Sequence, residues 1–290
     1  MYAPDFNYYR ASSVAEASDL LRKNPGAKIL AGGHSLIPLL KFRLATPPAL
    51  IDIGRIAELK GVVVKDGLVR IGALTTHAEL AASADLRNHC PALAEGAGHI
   101  GDPAVRNRGT IGGNVAHADP ASDLPTVLTA LNARFVVSAG TGTGTRTVDA
   151  RDFFKGMMTT ALGEHDLLVA IEVPAKQNDQ GAAYVKFTHP ASRYAVIGVA
   201  AAVTVSGGKC SAASVAIGGL VPRPVRASAV EKALIGQALS ADTITKAAGQ
   251  VLQDLGGDII GDLYASAEYR KAVAPIWVKR ALTAAADRAR

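Results

Sequence analysis

Most of the side chains able to do chemistry crowd between Gly98 and Leu131, in GHIGDPAVRNRGTIGGNVAHADPASDLPTVLTAL. Arg106 and Arg108 bring positive charge, Thr110 a hydroxyl, and Asn114 an amide that both donates and accepts. Gly112 and Gly113, after Ile111, leave the backbone bare. Bare backbone reaches positive φ without strain and lets a ligand come close. Consecutive N–H groups facing one way form a concave anion site, suited to phosphate. One isolated Gly-Gly ordinarily marks a turn between strands. A second stretch argues for more: Ala31-Gly32-Gly33-His34-Ser35-Leu36 follows the apolar Lys28-Ile29-Leu30. Strand, glycine loop and helix start, in that order, make a phosphate-binding arrangement. Ser35 is the right type for an N-cap, with Pro38 tolerated in the first turn. Neither loop fits G-x-x-x-x-G-K-S/T or G-x-G-x-x-G, which disfavours a Walker ATPase and a Rossmann site.

Elements must hold these loops in place. Ser13 and Glu16 have capping-box spacing, and Val14, Ala17 and Leu21 share one face of the helix that follows. That helix stops near Asn24-Pro25-Gly26. A strand at 28–30, a helix at 37–44 and a strand at 49–53 complete a compact α/β subdomain over about residues 1–55. Strands at 61–64 and 68–72 flank Asp66-Gly67 as a hairpin. Thr76 and Glu79 open another capped helix, a short one covers 92–97, and Leu124, Val127, Leu128 and Leu131 mark a further one. Strands are expected at 134–138, 146–148 and 167–173, with a turn or short helix at 152–154. Alternating glycines at 139–144 read as a solvent-exposed hairpin tip, because no helix follows them. Polar residues at 177–181 mark a boundary, giving domains 1–176 and 177–290. Beyond it lie strands at 182–188, 195–205 and 210–217, then helices near 228–238, 241–255 and 267–286. Strands followed by helices argue for an α+β domain.

At 290 residues the chain has room for two domains and a sizeable core. Hydrophobic residues make up 49% and aromatics only 5%, so that core rests on small aliphatic side chains. No apolar run approaches the roughly 18 residues of a spanning helix. MYAPDFNYYRASS lacks the charged-then-apolar layout of a signal peptide. The formal net charge is +6, yet Lys and Arg are scattered without any long tract. Scattered charge argues against nucleic acid and for an anionic cofactor or an acidic partner surface. Cys90 and Cys210 are the only cysteines, whereas an ordinary iron–sulfur cluster takes four, so a cluster would lie on another polypeptide. His117 and Asp119 form only H-x-D, for which a hydrogen-bonded loop histidine is the plainer reading than a metal. No Ser-His-Asp order, zinc spacing or carboxylate pair stands out.

The stretches AGGHSLIPLLKFRLATPPALIDIGRI and RNRGTIGGNVAHADPASDLP, in this order and at this separation, resemble the FAD-binding medium subunit of the molybdenum hydroxylases, the xanthine dehydrogenase family. The carbon monoxide dehydrogenase type is the most similar, and the resemblance covers nearly the whole chain. It implies an α+β fold. An FAD-binding domain of the type shared with p-cresol methylhydroxylase and vanillyl-alcohol oxidase, with two α/β subdomains (about 1–55 and 56–176), precedes a smaller α+β C-terminal domain of the carbon monoxide dehydrogenase flavoprotein type. The resemblance implies noncovalent FAD contacted by Ala31, Gly32, Gly33, His34, Ser35 and Leu36, and by Thr110, Ile111, Gly112, Gly113 and Asn114. It also implicates Ile100, Asp123, Leu168 and Lys186, and sets Tyr194 near the flavin ring. Read by themselves, Lys186 is an ordinary strand lysine facing solvent and Tyr194 a core tyrosine. Arg106 and Arg108 stay open between phosphate, a partner surface and solvent. His34 departs from the pattern, since related sequences more often have Gln there, and an imidazole changes charge near neutral pH.

On this resemblance no side chain here is a general acid or base. The molybdenum cofactor sits on a large partner subunit and 2Fe–2S clusters on a small one, within a dimer of heterotrimers. Electrons leave to a quinone, cytochrome, NAD or oxygen. The implied location is cytoplasmic, with peripheral attachment at the inner membrane face as an option. The substrate oxidised on the partner chain stays open between carbon monoxide, an aldehyde, an N-heterocycle and an aromatic thioester. Two other classes compete. A stand-alone flavoprotein oxidase of the same fold needs a larger substrate domain than the modest C-terminal segment offers. A nonenzymatic assembly subunit would use its glycine loops only as turns.

Overall fold

The computed structural model describes residues 2–139 and 144–289. Its first region is a small parallel sheet. Strand β1 (Asn7–Arg10), helix α1 (Val14–Lys23), β2 (Lys28–Leu30), α2 (Leu36–Lys41) and β3 (Ala49–Asp52) follow in order, with β3 central. Ser13 caps α1 by accepting the Glu16 amide at 3.1 Å. The Glu16 carboxylate turns instead to the Ser12 amide, so the box is not reciprocal. Helix α2 is shorter than expected, because the chain leaves it through Phe42 and takes positive φ at Arg43. Ser35 makes no capping hydrogen bond, contrary to its expected role.

The middle region starts with the hairpin of β4 (Val62–Lys65) and β5 (Leu68–Gly72). Asp66 and Gly67 both have positive φ, the backbone that a two-residue turn between twisted strands requires. Six helices follow: α3 (His77–Ala82), α4 (Ala84–His89), α5 (Pro91–Gly98), α6 (Pro103–Arg106), α7 (Ile111–His117) and α8 (Asp123–Ala130). Thr76 and Glu79 cap α3 reciprocally, as their spacing predicts. The sequence pattern does not reveal α4, a six-residue helix that Ser83 caps at 3.2 Å. Then come β6 (Arg134–Ser138), β7 (Thr145–Asp149), α9 (Ala150–Phe153), β8 (Phe154–Gly156), β9 (Thr159–Thr160) and β10 (Leu167–Pro174). The main sheet has the order β4-β5-β10-β6-β7. The glycine-rich tip expected between β6 and β7 falls at 140–143, outside the described residues.

The last region pairs β11 (Gln180–Thr188), β12 (Ala195–Ser206), β13 (Lys209–Gly218) and β14 (Val225–Arg226) in sequence order, all antiparallel. Helices α10 (Ser228–Leu234), α11 (Ala241–Gly249) and α12 (Ala267–Arg288) complete it. A Cβ added at Gly181 of β11 would lie 1.9 Å from the Ala285 carbonyl oxygen, so α12 packs directly on that strand.

The chain is thus an α+β protein, and its described residues form three apolar cores. The first region packs Ala17, Leu21 and Ile51 against Val136 and Val169 on one face of the five-stranded sheet. The other face of that sheet meets helices α3 to α8, which in turn meet Ala182, Tyr184, Ala200 and Ala202 of the four-stranded sheet. Ala183, Val199, Ala201 and Val203 point the opposite way, into the core with α10 to α12. Strands β11 and β12 are therefore covered on both faces.

Candidate functional site

The two glycine bends, distant in sequence, lie side by side. A Cβ at Gly32 would fall 2.1 Å from the Arg108 carbonyl oxygen and 3.0 Å from Gly109 Cα. Gly33 has φ +76°, a left-handed conformation natural to glycine. Among the described residues, the N–H groups of Gly32, Gly33, His34 and Ser35 meet no acceptor. Four unused donors on consecutive residues are costly unless water or an anion takes them.

The second bend is neither the anion site of outward amides nor the turn between two strands that its glycines suggest. Gly112 and Gly113 are helical and lie in the first turn of α7. Their N–H groups are already used, Gly112 toward the Ala73 carbonyl at 2.8 Å and Gly113 toward Thr110 Oγ1 at 3.1 Å. Glycine is needed at 112 for close packing, since a Cβ would lie 2.6 Å from Ala73 Cβ. This bend offers side chains instead. Asn114 Nδ2 donates to Ser122 Oγ at 3.0 Å, while its Oδ1 is buried without a partner.

Both bends face a cavity of about 730 Å³ whose walls come from all three regions. Ala31, Gly32, Gly33, His34, Ser35 and Leu36 form one wall, and Ile100, Thr110, Gly112, Gly113, Asn114 and Asp123 another. Leu168 of β10 and Tyr194, in the β11–β12 connection, close it. Tyr194 is 45% exposed, so it is not a core tyrosine. Two expected residues do not line the cavity. Ile111 opens α7 with its side chain in the middle core. Lys186 stands one layer behind. Arg106 is half-buried, and its Nη1 donates to the Ile100 and Gly101 carbonyls at 2.9 and 3.2 Å.

Lys186 shares the β11 face of Tyr184 and points inward. Its Nζ lies 2.9 Å from Asp123 Oδ2 and 3.1 Å from the His99 carbonyl. Tyr184 donates its hydroxyl to Asp123 Oδ1 at 2.6 Å. The side chains of Lys186 and Asp123 are only 1% and 5% exposed. Burial pushes Asp123 up and Lys186 down, each partly offset by the attraction of the other. Burial, then the Asp123 charge, pushes Tyr184 well up. The trio leaves Asp123 at the cavity wall with a cation and a hydroxyl behind it.

His77 is the cavity residue that the sequence pattern does not mark. It opens α3, and its backbone N–H donates to the Gly109 carbonyl at 2.9 Å. Burial, then the charges of His34 and Arg106, lower its pKa to about 4. The unfolded imidazole titrates at its ordinary value near 6.5, so between these values the unfolded chain binds more protons. The stability that depends on neutral His77 is complete above pH 6.5 and is lost as pH falls toward 4. It amounts to at most about 3 kcal/mol. Urea denaturation from pH 7 to pH 4.5 is expected to register that loss, and His77→Leu to remove its share of the slope. An unchanged slope in the variant contradicts a neutral, buried His77.

Residues 4–176 match the family described as FAD binding domain in molybdopterin dehydrogenase, and residues 182–285 match the CO dehydrogenase flavoprotein C-terminal domain. The chain belongs to the FAD-binding family of molybdopterin dehydrogenases, whose members are subunits of molybdenum-dependent oxidoreductases. Within it the chain is of the medium-subunit type. It is 39% identical to the carbon monoxide dehydrogenase medium chain of Hydrogenophaga pseudoflava, over 98% of each chain. It is equally identical to the glyceraldehyde dehydrogenase medium chain of Sulfolobus acidocaldarius, over 97% of this chain and 98% of the other. It also superposes with a TM-score of 0.94 and 42% identity on the solved Hydrogenophaga pseudoflava carbon monoxide dehydrogenase that lacks the Mo-pyranopterin moiety, covering 99% of each chain.

The residues present fit FAD. The cavity volume lies within the usual range for small-molecule sites, about 300–1,000 Å³. Glycine at 32 lets the two bends meet, since a Cβ there would strike the Arg108 carbonyl, and the amides of residues 32–35 are left without a partner. The buried Asn114 Oδ1 needs a donor from outside the chain. When bound, FAD supplies a redox carrier that holds two electrons. No helix among the described residues is long and apolar enough to cross a membrane.

Proposed function

We propose that this chain is the FAD-carrying, electron-transferring subunit of a heterotrimeric molybdenum hydroxylase. It takes electrons from 2Fe–2S clusters on a small subunit and passes them to a quinone, cytochrome, NAD or oxygen. A large subunit with the molybdenum cofactor oxidises the substrate. The observation that carries this reading is the meeting of the Gly32 bend with the Arg108–Asn114 segment at one cavity, with four amides unused. Those amides hold the diphosphate. Thr110 and Asn114 address the neighbouring hydroxyls, and Asp123, braced by Lys186 and Tyr184, faces the cofactor from the opposite wall. Residues 31–36, 110 and 112–114, with Ile100, Asp123, Leu168 and Tyr194, make up the cofactor-contacting set, which Ile111 and Lys186 support from behind the wall. Residues 1–176 form the cofactor domain, with subdomains near 1–55 and 56–176, and residues 177–290 the C-terminal domain.

The cysteines support placing the clusters elsewhere. Cys90 and Cys210 are both buried, and burial pushes the Cys90 thiol up to about 12. Two relatives of equal identity are named for different substrates, carbon monoxide and glyceraldehyde. That supports leaving substrate choice to the large subunit. The assembly is a dimer of heterotrimers in the cytoplasm, in peripheral contact with the inner membrane face where the acceptor is a quinone. The full-length chain, purified alone, is expected to be yellow, with about one FAD per chain and negligible turnover of carbon monoxide or aldehydes. Robust oxidation of a small substrate by the chain alone supports the oxidase reading. A colourless chain that still co-purifies with a large partner supports the assembly reading.

A further inference from the structure

His77 is 3% exposed, yet it lines the cavity. Among the described residues, neither of its ring nitrogens has a hydrogen-bond partner; Nδ1 is wholly buried, so Nε2 is the nitrogen that can reach a ligand. A buried polar group left this way costs free energy that the fold does not recover internally. Its surroundings indicate what it faces. A Cβ at Gly109 would stand 2.9 Å from His77 Nε2, and Gly109 adjoins the Arg108 carbonyl against which Gly32 is packed. The imidazole therefore sits at the seam of the two bends, close enough to His34 for their charges to interact. The same seam carries the unused amides of Gly32 to Ser35. Thr76, just before it, is engaged in capping α3.

We infer that His77 is a cofactor-binding residue, donating a ring N–H to the diphosphate of FAD at the seam between the two glycine bends. The role rests on the FAD reading above. It gives the imidazole a partner only when a phosphate-bearing ligand is seated. It also accounts for a hydrogen-bonding side chain at a buried position.

The experiment compares the full-length chain, stripped of flavin, with His77→Leu and His77→Gln. Binding of FAD and of riboflavin, which has no phosphate, is followed by quenching of flavin fluorescence. Thermal melting of the stripped chains is measured in parallel. One lost hydrogen bond to a charged group is expected to weaken FAD binding by about tenfold or more in His77→Leu. Riboflavin binding stays unchanged, and His77→Gln, which keeps a donor, recovers part of the loss. The stripped His77→Leu chain melts no lower than the parent, because an unpaired polar group has been removed from the interior. A lowered melting temperature with equal losses for both flavins overturns the proposal in favour of a structural role. Unchanged FAD affinity in a folded His77→Leu chain also overturns it. Failure of the parent chain to bind FAD would instead refute the reading on which the proposal rests.

Discussion

Replacing Gly32 with alanine is expected to give a folded chain that purifies without its flavin. The added Cβ would sit 2.1 Å from the Arg108 carbonyl oxygen and 2.8 Å from its carbonyl carbon. Both atoms belong to backbone, so no rotamer change relieves the contact. The segment at 108–109 is itself pinned, since the Gly109 amide donates to Val105 and its carbonyl accepts from His77. The bends must therefore part, and the cradle opens. Overpacking of this kind costs about 1–3 kcal/mol, and a rigid backbone contact belongs at the upper end. If that cost falls on the binding-competent form, FAD affinity drops by about a hundredfold. Gly249→Ala is the control, because a Cβ there meets nothing within 4 Å. The measurement is the ratio of flavin to protein absorbance after purification, with circular dichroism to verify the fold. Parent-like flavin content in Gly32→Ala would mean that the two bends do not form the cradle.

The second large effect is on stability. Lys186→Met is expected to destabilise the chain by about 3–5 kcal/mol, because it leaves the Asp123 carboxylate buried without its cation. The Tyr184 hydroxyl alone cannot replace a charge. Asp123→Asn in the same chain removes the stranded charge and should recover a substantial part of the loss. The exposed pair of Arg70 and Glu172 provides the contrast, since Arg70 is half exposed. Breaking it should cost no more than about 1 kcal/mol. Urea titration of the stripped chains measures all of these. A Lys186→Met chain within about 0.5 kcal/mol of the parent would show that solvent reaches the pair.

Local chemistry made much of this fold legible in the sequence. The Thr76–Glu79 box, the Asp66-Gly67 turn and the strands around them depend on neighbours within a few residues, and each stands where its pattern places it. The direction of Lys186 was not legible. Strand β11 is covered by helices on one face and by α12 on the other, so the alternation that would orient its lysine is absent. Gly112 and Gly113 misled for a related reason. The need for glycine at 112 comes from Ala73, brought in from a distant strand end, and at 113 from the Thr110 hydroxyl; both requirements are compatible with a helix. His77 was hidden because a residue following a capping threonine ordinarily lies at the surface. Gly109, arriving from another loop, packs against it. The paired glycine stretches were readable as a site, whereas how they divide the work was not. One offers backbone donors and the other side chains, a distinction set by which amides the fold has already used.

The third wall of the cavity has a consequence for how the chain is made. Both bends leave the ribosome within the first 114 residues, yet Ser192 to Tyr194 follow about 80 residues later. Domains emerging from a ribosome generally fold in order from the N-terminus. A nascent chain can thus present a half-built, open seat for the dinucleotide well before the connection carrying Tyr194 exists. Enclosure of the seat waits for the first two strands of the C-terminal sheet, whose connection carries Tyr194.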